Sequence, residues 1–380
     1  MGPLTGVKIV EFGGVGPGPF CAMLLSDMGA EVLRVDRTSP SGLGVEKEIR
    51  FDTTRRGRRS VAVDMKSEGG REVVRNLIDQ ADGLIEGFRP GVMERLGFGP
   101  DDCLAYNPKL VYGRMTGWGQ DGPLANHVGH DINYLAISGA LSMIGRQGQP
   151  PSIPLNLVAD LGGGGMYLAL GVVAALFEAK SSGKGQVVDT AILDGTASLL
   201  TTFYGYSSGG LWNEEREHNL IDGGAPWYNV YETSDGKFIS VGAVEAKFYR
   251  ELLKAMGLEG AELPAQFDRA GWPEAKKIFA NVFATKTRDE WVAAMAGYDA
   301  CFAPVLSLKE ASQHPQYVKR SGFTAMDGVT HPAPAPRFSR TPSQIQGPPH
   351  ADGADTDAAL SDWGFSVEQL AALHKSGSIA

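Results

Sequence analysis

The sequence predicts an α/β fold: a large domain with a parallel, helix-covered sheet, followed by a smaller α+β domain. Three observations lead there. Short apolar runs of strand character alternate with helical stretches through the first two hundred residues, and such alternation places helices over a parallel sheet. Near residue 228 the pattern changes to two alternating runs joined by Ser234-Asp235-Gly236, a strong hairpin signal. The chain also carries 50 glycines in 380 residues, about twice the usual 7%, clustered between apolar runs as tight loops require.

Taken in order, Val7–Phe12 reads as a strand, Gly13–Pro19 as a loop, Phe20–Met28 as a helix closed by Gly29, and Glu31–Val35 as a second strand. Strands are expected at Ser60–Asp64, Gly83–Glu86, Leu110–Met115 and Gly185–Leu193, with helices at Gly70–Gln80, Asp131–Gly145 and Gly165–Ala179. Residues 1–204 therefore form the expected large domain and 205–225, glycine-rich and then charged, a linker. Residues 226–315 form the expected small domain, with helices at Lys247–Met256, Trp272–Ala284 and Arg288–Ala296 and a strand at Phe302–Leu308. Residues 316–380 return to the large domain through an extended Pro- and Ala-rich stretch, His331 to Thr356, and a last helix at Ser366–Lys375.

The net charge is −9, so the long-range field repels nucleic acid and anionic lipid, and neither is an expected partner. Cys21, Cys103 and Cys301 form no C-x-x-C pair, which argues against a disulfide framework or a thiolate metal site. The first residues run straight into a strand, without the basic and apolar segments of a secretory signal. The longest uninterrupted apolar run, Met166 to Phe177, is shorter than a bilayer-spanning segment. A cytoplasmic enzyme is expected.

Several motifs fail on inspection. Gly14-Val15-Gly16-Pro17-Gly18 invites a dinucleotide reading, but Pro19 and Cys21 stand where G-x-G-x-x-G needs glycine, and Pro17 and Pro19 lack the N–H groups a pyrophosphate uses. Gly205-Tyr206-Ser207-Ser208-Gly209 matches G-x-S-x-G without the strand and helix of a nucleophile elbow. His127, His130 and Asp131 lack further metal ligands nearby, so no metal is expected. For Arg50, Arg55, Arg56, Arg58 and Arg59, two readings stand: a solvated face, or a phosphate cradle suited to guanidinium forks. His130-Asp131, Asp160 and Glu245 each fall at an element boundary, where side chains project into clefts; Asp131 and Asp160 could equally be helix caps. Spacing alone does not bring 130, 160 and 245 together.

As a set, Gly129-His130-Asp131-Ile132-Asn133-Tyr134, Asp160-Leu161-Gly162-Gly163-Gly164, Ser182 to Asp189, and Val241-Gly242-Ala243-Val244-Glu245 resemble the α-methylacyl-CoA racemases of the class III CoA-transferase superfamily. The resemblance extends from Leu4 through Glu86-Gly87-Phe88-Arg89-Pro90-Gly91-Val92 and Thr116-Gly117-Trp118-Gly119-Gln120-Asp121-Gly122-Pro123 to Pro336-Arg337-Phe338. It implies a Rossmann-like large domain, a small domain and an interlocked homodimer, the active site lying between the large domain of one subunit and the small domain of the other. It also implies an acyl-CoA substrate contacting Arg37, Val63, Asp64, Met65, Lys66, Gly87, Phe88, Arg89, Arg95, Gly129, Ile132, Asn133 and Tyr134, with no cofactor beyond the substrate's own CoA.

The implied chemistry is racemisation at C2 of a 2-methylacyl-CoA. His130 would serve one face and Asp160 the other as acid and base, Glu245 would orient His130, and the backbone N–H of Asp131 would stabilise the enolate oxygen. A helix N-terminus lowers a carboxyl pKa and a closed site raises it, so the sequence leaves the protonation of Asp160 open. The alternative is a CoA-transferase with Asp160 as nucleophile, in which an imidazole at 130 has no evident use. The apolar stretch Ala197–Trp212, rich in Leu and aromatics and lacking Met, is the candidate acyl wall.

Overall fold

A computed structural model describes residues 2–39, 42 and 44–380. The chain divides into two compact units, one of residues 1–138, 155–199 and 318–380, the other of 139–154 and 200–317.

The first unit is built on six parallel strands: β1 (Lys8–Phe12), β2 (Glu31–Asp36), β3 (Arg59–Ala62), β4 (Gly83–Glu86), β5 (Val111–Thr116) and β6 (Gln186–Ala191). Their order is β3-β2-β1-β4-β5-β6, so the chain works outward from β1 on one side and from β4 on the other. The expected α/β fold with a parallel sheet is therefore present, and β1 and β4 flank its switch point, where open α/β sheets hold ligands beyond the strand ends. On one face Val10, Leu33, Val61, Leu84 and Tyr112 pack against α2 (Glu68–Asp79), whose Val73, Val74, Leu77 and Ile78 are buried. α1 (Pro17–Asp27) lies between β1 and β2 in sequence, while α3 (Val92–Leu96) and α4 (Pro100–Tyr106) join β4 to β5. The exposed edge that β3 would leave is covered: Ser60 N–H donates to Asp355 and Ala62 N–H to Thr356, at the start of α15 (Thr356–Asp362) in the C-terminal segment. Covering an edge strand removes a template for pairing between chains.

The helix expected at Asp131–Gly145 is interrupted. α5 (Asp131–Ser138) stops short, Gly139 takes φ 88°, and α6 (Ala140–Met143) belongs to the second unit. Glycine makes that left-handed break possible. The chain returns as a ten-residue π-helix, Leu157–Met166, which runs directly into α7 (Tyr167–Ser182). Together they form one helix of 26 residues, long and apolar enough to cross a membrane by length and composition; the apolar run in the sequence looked shorter because Gly162–Gly165 dilutes its hydrophobicity. In the first unit this helix packs on β5, β6 and α1 and buries Leu168, Ala169, Val172 and Ala175. The strand expected at Gly185–Leu193 stops at Ala191, where α8 (Ile192–Leu199) begins. α8 and the π-helix touch backbone to backbone: a Cβ on Gly195 would lie 1.8 Å from the Gly163 carbonyl oxygen.

The second unit has α9 (Thr201–Ser208), the antiparallel sheet β7 (Tyr228–Glu232), β8 (Phe238–Gly242) and β9 (Phe302–Pro304), and helices α10 (Ala246–Ala255), α11 (Trp272–Phe283), α12 (Arg288–Met295) and α13 (Leu308–Ala311). Its core gathers Trp227, Tyr231, Ile239, Leu252, Phe279, Phe283 and Trp291. The Asp-Gly hairpin is present, with Gly236 at φ 70°. The strand expected to run to Leu308 ends at Pro304, because a Ser307/Glu310 capping box starts α13 instead. The start of the expected linker is helical, since Thr201–Ser208 forms α9. α14 (Pro315–Lys319) leads back to the first unit, where β10 (Phe323–Met326) and β11 (Val329–Pro332) form a hairpin and α15 and α16 (Val367–Lys375) complete the chain.

Because the Gly163–Gly195 contact leaves no room for a methyl group, Gly195→Ala should destabilise the protein by about 1–3 kcal/mol through overpacking. Thermal or denaturant unfolding checks this; unchanged stability would show that the two helices can separate freely.

Candidate functional site

The cleft at the switch point is made first by loops that follow strands. After β1 come Gly14–Gly16 and the first turn of α1, Pro17–Pro19, which the sequence read as loop; after β4 comes Gly87–Pro90 and after β5 comes Gly117-Trp118. With the start of α5 and the π-helix they enclose about 490 Å³, lined among others by His127, Gly129, His130, Tyr134 and Asp160. Thus His130, Asp160, Gly87, Phe88, Arg89, Gly129 and Tyr134 share one cleft. The glycine loop that failed as a dinucleotide motif has a steric use here. Gly16, at φ 76°, would place a Cβ 3.8 Å from the Asp160 carboxylate, so the loop passes close beside that acid.

His130 sits at the start of α5, its carbonyl accepting the N–H of Asn133 at 2.8 Å, while the Asn133 side chain accepts the His130 N–H at 3.0 Å. Asn133 thereby fixes the backbone that presents the imidazole. Tyr134 packs edge-on to Trp118, ring centroids 4.7 Å apart. Cβ atoms at Gly117 and Gly129 would fall within 2.2 and 2.8 Å of that tyrosine, so both positions exclude a side chain.

Asp131 supplies a link that the sequence did not disclose. Its side chain is buried and its Oδ2 accepts the N–H of Ala159 at 3.1 Å and of Asp160 at 2.8 Å. One carboxylate thus ties the first turn of α5 to the helix that carries Asp160. It also acts on Asp160 electrostatically. Burial, and then the Asp131 charge, push the Asp160 carboxyl up to about 6, with His130 pulling it partly back. Burial is the largest cause, so the carboxyl moves in the direction expected of a closed site. The Asp131 carboxyl is itself raised by burial and lowered by the two N–H bonds.

The other predicted residues are placed differently. Val63 and Met65 have side chains in the hydrophobic core. The Asp64 carboxylate accepts the Lys66 N–H, and its own N–H donates to Ser378. Arg37 is exposed just beyond β2, Arg95 is exposed on α3, and Ile132 is exposed on α5; none of them lines the cleft. Glu245 is an exposed residue of the second unit, immediately before α10, with its carbonyl accepting the Tyr249 N–H.

The arginine run fits neither reading offered by its sequence. Arg56 is buried on Asp27 at 2.6 Å and Arg58 on Glu11 at 3.1 Å, while Arg55 reaches Asp52 and Asp352. Arg59 pairs with Glu31 and Asp362, and Arg50 with Glu48. The run is spent on carboxylates, several of them far along the chain, and fastens β3 to its neighbours. Glu86, buried at the end of β4 and lining the cleft, and Arg114, its register partner on β5 behind it, were not among the expected site residues. Opposite charges at corresponding ends of two apolar strands were the available signal.

The model of the CoA-transferase family III matches residues 4–356. Alpha-methylacyl-CoA racemase of Mus musculus is 48% identical over 374 residues, covering 98% of this chain and 96% of the relative. The human enzyme of the same name is 44% identical over 376 residues, with the same coverage of both chains. Among solved structures, a CAIB/BAIF family protein from Brucella suis superposes with a TM-score of 0.81 at 24% identity, covering 95% of this chain and 99% of that one, a likeness of fold. A match across nearly the whole chain, on the fold described above, places this protein in the CoA-transferase family III.

Proposed function

We propose that the protein racemises 2-methyl-branched acyl-CoA thioesters at C2. The observation that carries this reading is the placement of His130 and Asp160 on one cleft together with the Gly87–Arg89 loop; the near-half identity to two racemases supports it. One residue takes the C2 proton, the C–H electron pair becoming the enolate, and the other delivers a proton to the opposite face. Their roles reverse with the hand of the substrate. The Asp131 backbone N–H, in the first turn of α5, is placed to stabilise the enolate oxygen. Glu245 of a second copy orients His130 in an interlocked homodimer, and CoA is held by the loop 87–89 and the stretch 63–66, with Arg37, Lys66 and Arg95 near its phosphates. A carboxyl titrating near neutrality suits a group that must serve as acid for one hand and base for the other. The second reading, a CoA-transferase using Asp160 as nucleophile, is favoured by the family's name but leaves His130 without a task.

In deuterated water, a single-handed 2-methylacyl-CoA is expected to take up deuterium at C2 and lose its handedness with no acceptor acid present. Transfer of CoA to an added carboxylate without exchange would establish the transferase reading instead.

His130→Ala and Asp160→Ala should each lower racemisation by about 10²- to 10⁴-fold, as followed by chiral analysis of the product. Full activity in either variant would sink the two-base assignment.

kcat/KM should follow one bell-shaped pH profile for both hands, because each direction needs one residue of the pair protonated and the other not, and the ratio of the two is fixed by an equilibrium that involves no proton. The limb near pH 6, where the Asp160 carboxyl titrates, should appear for both hands. Asp131→Asn keeps an acceptor for the two N–H groups and removes the charge that raises Asp160. It should move that limb to lower pH for both hands, and profiles that stay in place would show that Asp160 does not set it.

A further inference from the structure

The loop between β4 and α3 is held at both ends by one side chain. Arg114, on β5, is nearly buried. Its Nε donates to Glu86 Oε1 at 3.0 Å, and its Nη1 lies 2.9 Å from Glu94 Oε1. Glu86 is the last residue of β4 and Glu94 sits on α3, so the two carboxylates bracket Gly87–Met93. The other oxygen of Glu86 accepts the Phe88 N–H at 2.7 Å, carrying the restraint into the loop itself. Within the bracket, Gly91 is left-handed at φ 78°, and a Cβ there would sit 3.0 Å from the Arg95 guanidinium, which therefore lies against the loop's backbone. Asp189, the register partner of Arg114 on β6, has its carboxyl raised by burial and pulled down by the Arg114 charge, so a third carboxylate lies within that cation's field.

The geometry points to Arg114 as a positioning residue that presets the Gly87–Arg89 loop for the CoA part of the substrate. The inference rests on the proposed role of that loop in holding CoA. A planar guanidinium reaches two carboxylates on different elements at once, in fixed directions; an ammonium on a flexible stem does not hold both in one geometry. Preorganising a loop lowers the ordering cost of binding, so the effect belongs in KM rather than in the proton-transfer step. Arg114 touches neither His130 nor Asp160 among the contacts described.

The test compares Arg114→Lys, Glu94→Gln and Arg89→Ala with the wild-type full chain. It measures KM and kcat for a 2-methylacyl-CoA, unfolding temperature, and amide hydrogen exchange over residues 87–93. Arg114→Lys should raise KM by about tenfold, the loss of a charged hydrogen bond. Glu94→Gln, which breaks a half-exposed pair, should raise it by about two- to fivefold. Both should keep kcat within about twofold and exchange faster over 87–93. Arg89→Ala reports on the underlying reading: an unchanged KM there overturns the CoA role of the loop, and the inference with it. A raised KM in Arg89→Ala beside wild-type KM and loop exchange in the other two overturns the brace alone. So does a lowered unfolding temperature in Arg114→Lys and Glu94→Gln without a change in KM, since a merely structural ion pair would give that result.

Discussion

Two hydrogen bonds hold the site together: the N–H groups of Ala159 and Asp160 converge on one oxygen of Asp131. Without them, α5 and the π-helix would be joined only through packing, and the chain between them leaves the first unit at Gly139 and returns at residue 155. The Asp131 carboxylate replaces that missing local connection with a fixed one. Because it is charged and close, it also adds to the burial that raises the Asp160 carboxyl, so the group that positions the acid also contributes to its readiness to hold a proton. Positioning and tuning cannot be altered separately by changing residue 131 to an apolar side chain; only an uncharged acceptor of the same shape parts them.

The rest of the cleft depends on backbone more than on side chains. A parallel sheet delivers the ends of β1, β4 and β5 to one edge, and the chain's direction changes between β1 and β4, where loops on either side diverge and leave space. Glycine then lets main chain approach what it must: Gly16 beside Asp160, Gly117 and Gly129 around Tyr134, Gly163 against Gly195. A π-helix of ten residues is rare, and π turns gather at functional sites; this one contains Asp160 and is packed through its glycines against α8.

Charge is used sparingly and mostly inward. An acidic chain with a dense arginine run suggests a local anion site, yet the run binds Asp27, Glu11, Asp52, Asp352, Glu31 and Asp362. These pairs draw the C-terminal segment onto the edge of the sheet at β3. Glu11, fully buried, is raised by desolvation and held partly down by Arg58, as a carboxyl confined under a sheet must be. For the proposed CoA reading, the exposed cations left for phosphate are Arg37, Lys66, Arg89 and Arg95, while Arg114 acts behind the loop.

The sequence by itself determined the parallel alternation of strands and helices, the Asp-Gly hairpin, and the identity of His130 and Asp160 as groups at element boundaries. These are local properties: side-chain periodicity, turn chemistry and helix starts are written over a few neighbouring residues. The resemblance of its motifs added the family. Tertiary structure alone decided what depends on distance across the fold. It broke the helix at Gly139, although residues 131–145 look continuous, because glycine permits but does not announce a left-handed turn. It joined Gly162–Gly165 to the apolar segment as one helix, where helix propensity alone argues against glycine. It assigned Arg55 and Arg59 to carboxylates 297 and 303 residues away, and made Asp131 a cap for a helix that begins 26 residues later in the chain. No sequence pattern encodes such pairings, since they exist only once the sheet has ordered its strands.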